Sequence, residues 1–158
     1  MKKGFTLVEV IVALGIISFV SVGVMFSISL SLSSASRIKN NLIAAGLAQE
    51  GFEIVRNMRD QDWHSGRAFG VSLPNGNYLV DWNSQSLTPF SDIFLKKDSN
   101  GLHNYSSVQD TIFKRKIIIG NSSQNPSGVE KVVKVEVSWN EKSGLKTIQA
   151  ELRLFNWQ

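Results

Sequence analysis

The sequence predicts an α+β fold in which one long N-terminal helix precedes a C-terminal antiparallel β-sheet. Three observations indicate this fold. Residues 10–36 carry no charged side chain, no proline precedes Pro74, and the last third of the chain alternates apolar with polar residues. We expect the first half of the helix to span a membrane and its amphipathic second half to pack on the sheet.

The composition excludes several classes of protein. The 158 residues suffice for one substantial core. With 42% hydrophobic and 19% charged residues, the chain is not intrinsically disordered. It contains no cysteine, so a disulfide framework, a thiolate metal site and a cysteine nucleophile are excluded. The net charge of +4 is too small to indicate a nucleic-acid partner by itself.

The N-terminal segment has the length and charge pattern of a single membrane span. Lys2 and Lys3 precede the apolar run, which is interrupted only by Glu9 near its start. About 20 apolar residues cross a bilayer as a helix, and a secretory signal has a shorter apolar core of about 7 to 15. Because basic residues stay on the cytoplasmic side, we expect the C-terminal domain to lie outside the cytoplasm.

Glu9 is the one acidic residue in this run. A carboxylate inside an apolar helix costs about 2.5 to 3.5 kcal/mol on insertion scales. The next basic residue is Arg37, which is about 40 Å further along a helix that rises 1.5 Å per residue. Two interpretations remain open from the residues alone: Glu9 reaches the membrane surface, or it is neutralised by protonation or by another chain.

The segment Gly4–Val10, read with its basic leader, resembles the processing motif of type IV prepilins and pseudopilins. The resemblance covers about 30 residues including the uncharged tail. It implies cleavage between Gly4 and Phe5 by a prepilin peptidase/methyltransferase and methylation of the new amino group of Phe5. It also implies that Glu9 acts in assembly, by pairing with the terminal amine of a neighbouring subunit.

A second, looser resemblance concerns a subgroup of minor pilin-like proteins. It rests on the Leu47–Gly51 segment, on a basic-then-apolar strand and on the Val-x-Val-x-Trp pattern that ends at Trp139. Pilins with a C-terminal disulfide loop differ, since this chain has no cysteine to close one.

The long helix is expected to run from Phe5 to about Asp60. Gly15 and Gly23 either permit bending or allow close packing against other helices. Beyond Arg37 two apolar stripes follow helical spacing. In one interpretation, one stripe packs on the C-terminal domain and the other packs on neighbouring subunits. In the other interpretation, both stripes belong to a single surface that faces the core. The first stripe is Ile38, Leu42, Ala45, Phe52, Val55 and Arg59; the second is Ile43, Leu47, Ile54 and Met58; the polar side is Glu50, Glu53, Asn57 and Asp60.

This pattern divides the chain into four segments. We expect a cleaved leader at 1–4, a transmembrane and assembly helix at 5–36, its amphipathic continuation at 37–60 and an extracytoplasmic β domain at 61–158.

The C-terminal part predicts short strands separated by turns. The expected strands cover residues 78–82, 93–95, 102–105, 112–119, 131–139 and 145–155, and the last three form an antiparallel meander. Asp98–Gly101 is predicted to be a hairpin turn rather than a calcium loop, because the later acidic ligands of such a loop are missing.

Candidate chemistry in this domain is sparse. His64 and His103 have no second histidine or cysteine at metal-ligand spacing, so we expect solvated loop residues, no cofactor, no metal and no enzymatic activity. Lys114, Arg115 and Lys116 form the one basic cluster. With tryptophans available for stacking, weak DNA contact is one interpretation, and a solvated strand face that resists edge pairing is the other.

The expected function is that of a type IV pilin-like subunit, and specifically a minor pilin. It is made in the cytoplasmic membrane, processed, and assembled with other pilin subunits into a homo- or heteromeric surface filament. The alternatives are a pseudopilin of a type II secretion or DNA-uptake machine, and a single-span anchored binding domain that never polymerises.

Overall fold

The computed structural model describes residue 4 and residues 6–123 and 129–156. In that part of the chain it has one helix and eight strands. Contacts divide the chain into two compact units, residues 1–40 and residues 41–158. The helix contributes residues to both units, and every strand lies in the second. The predicted α+β class is confirmed.

The helix, α1, covers Leu7–His64 and ends later than the predicted Asp60. Its end is a Schellman motif around Gly66, whose φ is +66°. The backbone N–H of Arg67 donates to the Asp62 carbonyl at 2.8 Å, and the N–H of Gly66 donates to the Trp63 carbonyl at 3.0 Å. A glycine at this left-handed position allows the helix to continue as far as His64.

The strands form two antiparallel sheets. Their bounds are β1 Gly76–Leu79, β2 Thr88–Pro89, β3 Lys96–Lys97, β4 His103–Asn104, β5 Gln109–Asp110, β6 Phe113–Asn121, β7 Glu130–Glu141 and β8 Gly144–Phe155. The larger sheet has the order β2-β1-β6-β7-β8, and the smaller has the order β4-β3-β5. The predicted meander of the last three strands is confirmed, with Ile117 opposite Val135 and Val135 opposite Ala150.

The core lies between the inner face of the larger sheet and the second half of α1. On β7 the predicted inward set, Val133, Val135, Val137 and Trp139, is fully buried. The helix buries Ala44, Leu47, Ala48, Gly51, Ile54, Val55 and Met58. Gly51 sits at the closest approach, since a Cβ there would lie 3.0 Å from Ile117 Cδ1 and 3.3 Å from Val135 Cγ1.

Both predicted helix stripes contribute to this core. Leu47, Ile54 and Met58 of the second stripe are buried. In the first stripe Val55 is buried and Phe52 packs against the core, whereas Ile38 and Leu42 are exposed. One acidic residue near the end of α1 is also buried: the side chain of Asp62 is completely inaccessible to solvent. Its carboxylate accepts hydrogen bonds from the Ser72 N–H at 2.9 Å and hydroxyl at 2.6 Å, and it pairs with Arg67 at 3.1 Å.

The shorter strands differ from the prediction. The strand expected at 78–82 is β1, which ends at Leu79, and a turn follows in which Ser84 bonds both the N–H and the carboxylate of Asp81. The predicted hairpin turn is confirmed, because Lys97 lies opposite His103 and Gly101 has φ +89°. Both of its strands are shorter than expected, and β3 is shifted toward the turn from the expected 93–95. The strands β2 and β5 were not predicted.

Candidate functional site

The start of α1 is capped by Thr6. The Thr6 hydroxyl accepts a hydrogen bond from the Glu9 N–H at 3.3 Å, and the Thr6 carbonyl accepts the N–H of Val10 at 3.3 Å. Thr-x-x-Glu is the spacing of a capping box, so Glu9 stands at the third helical position, where a carboxylate also complements the positive helix end. This role of Thr6 was not predicted, although the Thr-x-x-Glu spacing indicates it.

Two of the three predicted processing and assembly residues, Gly4 and Glu9, flank this cap. Gly4 is exposed and precedes the helix, and Glu9 is exposed on its first turn. Phe5 lies outside the described residues. Among the residues that the structure describes, no cation pairs with Glu9.

The apolar half of α1 has the composition of a membrane span. Its most apolar window of 18 residues has a mean hydropathy of 2.5, and none of that window is buried. Large side chains such as Leu7 and Phe19 are about four-fifths exposed. A helix that is apolar on all sides requires lipid or other helices around it.

One face of this helical half carries small residues at four-residue spacing. Gly23, Ser27 and Ser31 lie in a row that ends at Ala35, beside a shallow apolar groove. The Ser27 hydroxyl donates to the Gly23 carbonyl and the Ser31 hydroxyl donates to the Ser27 carbonyl, both at 3.0 Å. Because these hydroxyls are satisfied within the helix, the row presents a smooth surface to a second helix. No break in α1 occurs at Gly15 or Gly23.

The predicted basic cluster does not form one surface. Successive residues of a strand point to opposite faces, and Arg115 shares the buried face with Phe113 and Ile117. Lys114 and Lys116 lie on the other face, where they pair with Asp92 and Glu136, each at 2.7 Å. The interpretation of all three as a DNA-binding strand face, or as a solvated one, is therefore wrong for Arg115.

Arg115 joins α1 to the larger sheet. Its guanidinium is fully buried and donates to the Leu47 carbonyl at 3.0 Å and to the Glu50 carboxylate at 3.1 Å. Its other terminal nitrogen donates to the Val80 carbonyl at 2.5 Å. One side chain thus holds the helix, the end of β1 and β6 together, and Glu50 belongs to this cluster rather than to a solvated polar side.

Two titratable groups line the same cluster. Burial lowers the pKa of His103 below 6.5, and the nearby Glu50 carboxylate partly opposes this by raising the pKa. Burial also raises the pKa of Tyr105 above 10.0, while the Arg115 charge lowers it. His103 is half-buried on β4 rather than a solvated loop residue, whereas His64 is exposed at the end of α1. No metal-binding group of acidic or histidine residues occurs in the described part of the chain.

These features define a class of protein with an apolar, membrane-type N-terminal helix that continues into a β domain, which is a pilin-like layout. Comparison with known families agrees: residues 1–25 match the model of the prokaryotic N-terminal methylation motif. No curated protein and no solved structure matches the chain. This match, which lies wholly within the N-terminal segment, supports a type IV prepilin-like protein of the kind processed by prepilin peptidase.

Proposed function

We propose that this chain is a minor pilin that is cleaved between Gly4 and Phe5, methylated on Phe5 and built into a filament through α1. The carrying observation is that the methylation motif, residues 1–25, includes the start of a helix whose apolar half is exposed on all sides. Such a surface is stable in lipid before assembly and between neighbouring helices after it. The proposed mechanism is assembly and not catalysis.

In this proposal Glu9 sets the register of assembly. Cleavage creates an ammonium group on Phe5, and the Glu9 carboxylate of one subunit neutralises the ammonium of another. Breaking such a buried ion pair by removing one partner costs about 3 to 5 kcal/mol. A subunit packed one step out of register leaves both charges unpaired in an apolar medium, so the filament rejects it.

The proposed location follows from the same features. The precursor is a single-pass protein of the cytoplasmic membrane, and the assembled subunit carries its β domain on the surface of the filament. DNA contact is not part of the proposal, because Arg115 is buried and Lys114 and Lys116 each pair with a carboxylate.

Processing is tested by mass spectrometry of the mature protein from its host. The expected mature chain begins with Phe5 and carries one added methyl group. A chain that keeps Lys2 and Lys3 contradicts the proposal and favours the anchored binding domain that never polymerises.

Assembly is tested with Glu9→Ala, with Glu53→Ala as the matched control. Glu53 is exposed and, within the described part of the chain, forms an ion pair with Arg56 alone, on the same helix, so its loss should leave incorporation unchanged. Glu9→Ala should be processed normally, yet enter wild-type filaments at least tenfold less, since about 1.4 kcal/mol already corresponds to a factor of ten. Equal incorporation of the two variants would rule out the Glu9 pairing. Imaging of labelled protein separates extended surface filaments from the short assemblies expected of a pseudopilin.

A further inference from the structure

The outer edge of β8 is an open strand edge. β8 is the last strand of the larger sheet and runs over Gly144–Phe155 without a proline. Within residues 4, 6–123 and 129–156, no strand pairs with its free side. The opposite edge of the sheet is β2, which has two residues and includes Pro89. Short length and proline are ways in which proteins protect a sheet edge, and β8 has neither.

The hydrogen bonds of β8 show which residues face this open edge. The Asn156 N–H donates to the Val129 carbonyl at 2.8 Å, and this pair continues the β7–β8 register. Because bonding direction alternates along a strand, the even-numbered residues bond β7. The N–H and C=O groups of the odd-numbered residues therefore point outward, from Thr147 to Phe155.

The inner face of the sheet is also incompletely covered at this edge. On β7 the inward side chains are fully buried, but Ile148, Ala150 and Leu152 on β8 are only half-buried. An additional strand beside β8 would extend the sheet and cover these apolar side chains. The edge thus offers both backbone groups and apolar surface to an incoming strand.

We propose that a second copy of this chain binds this edge, with two β8 strands pairing antiparallel about a twofold axis at Leu152. This register places Glu151 opposite Arg153 of the second copy, and it does so twice. On the inner face it places Ala150 opposite Leu154 and Leu152 opposite itself. Opposite charges across a strand pair stabilise it, and the apolar row continues from one sheet into the other.

The neighbouring twofold registers are unfavourable. An axis at Glu151 places two carboxylates opposite each other, and an axis at Arg153 places two guanidinium groups opposite each other. An axis at Ala150 brings Lys146, which lies on the inner side of the strand, opposite the buried Leu154. The axis at Leu152 avoids all three conflicts and leaves Lys146 outside the paired stretch.

A twofold contact of this kind closes after two copies and therefore cannot propagate a filament. It is a lateral contact between two chains, made in the membrane before assembly or between neighbouring filaments afterwards. The contact is made by β8 and by no residue of α1, so it does not depend on filament assembly or on processing at Gly4.

The absence of cysteine permits a direct test of the register. Full chains with Leu152→Cys or Ala150→Cys are oxidised in detergent with copper phenanthroline and analysed on non-reducing gels. Leu152→Cys should form a disulfide dimer, since residue 152 faces itself in a pair without cross-strand hydrogen bonds, where side chains are closest. Ala150→Cys should not, because its two copies are offset by four residues, about 13 Å. Equal cross-linking of both variants, or of neither, overturns the proposal.

A charge substitution at the edge provides the second arm, which also decides the question if Leu152→Cys unfolds. Glu151→Arg faces Arg153 of the second copy and should weaken dimerisation in analytical ultracentrifugation about tenfold. Within its own chain Glu151 also makes surface ion pairs with Lys134 at 3.6 Å and with Arg153 at 3.4 Å. Glu53→Arg makes the same charge change on α1 and breaks the surface ion pair with Arg56. It should shift the dimer dissociation constant less than twofold. If Glu151→Arg dimerises like Glu53→Arg, the proposed pairing is wrong.

Discussion

Replacing Arg115 by methionine should destabilise the C-terminal unit strongly. The side chain is fully buried and donates charge-assisted hydrogen bonds to two backbone carbonyls and to Glu50. Methionine fills a similar volume but leaves the Glu50 carboxylate and the Val80 carbonyl without this donor. The variant therefore isolates the polar contribution of Arg115 from its contribution to packing.

The magnitude follows from the geometry. Removing one member of a buried ion pair costs about 3 to 5 kcal/mol. The Glu50 side chain is 31% exposed and recovers part of its hydration, so we expect the lower end, about 3 kcal/mol. With a urea dependence of about 2 kcal/mol per molar, the midpoint of unfolding should fall by about 1.5 M.

The assay is urea unfolding of the full chain in detergent, followed by tryptophan fluorescence, to which the buried Trp139 contributes. Lys114→Met is the matched control, because Lys114 is the preceding residue, faces the other side of β6 and makes one surface ion pair with Asp92. It should cost less than about 1 kcal/mol. If Arg115→Met unfolds at the midpoint of Lys114→Met, the guanidinium does not hold the helix to the sheet.

Two further predictions concern glycines of α1 and His103 on β4. Gly46→Ala should stabilise the chain by about 1 kcal/mol through helix propensity, since nothing lies within 4 Å of a Cβ there. Gly51→Leu should destabilise it by about 1 to 3 kcal/mol through overpacking against Ile117 and Val135. Equal melting temperatures for the two variants would contradict this. Because burial lowers the pKa of His103, the unfolded chain binds its proton first as the pH falls through 6.5, so stability should decrease on acidification below that pH. Urea midpoints measured from pH 7.5 to 5.5 should fall more steeply for the wild type than for His103→Gln, and identical slopes would show that His103 contributes nothing.

The sequence predicted the large elements of this fold because their patterns are long. The uncharged N-terminal segment and the alternation along β7 and β8 each repeat a local preference over many residues, so single deviations do not obscure them. Two-residue strands such as β2 and β5 are too short to show a repeating pattern of apolar and polar residues. They form because the chain around them is held by contacts such as the Phe90 N–H to the Asn77 carbonyl, which no local pattern encodes.

The role of Arg115 was missed for a different reason. The prediction treats three consecutive basic residues as one surface, although residues of a strand alternate between its faces. The alternation was present in the sequence: Phe113, Ile117 and Ile119 share the parity of Arg115 and are all buried. The prediction follows the charge of Arg115 and not its position in the alternation of buried and exposed residues. In the structure, carbonyl and carboxylate acceptors make burial of that charge possible.

The two halves of α1 obtain their stability from different sources. From Leu47 onward the helix is held by the sheet, through buried apolar side chains, through Arg115 and through the buried Asp62. Before residue 33 its serine hydroxyls bond only to carbonyls of the same helix, and its large apolar side chains are exposed. Substitutions such as Glu9→Ala should therefore leave the urea midpoint of the C-terminal unit unchanged while they alter assembly, and substitutions at Arg115 should do the reverse. This separation lets the assembly role of the first half be measured without interference from the folding of the second.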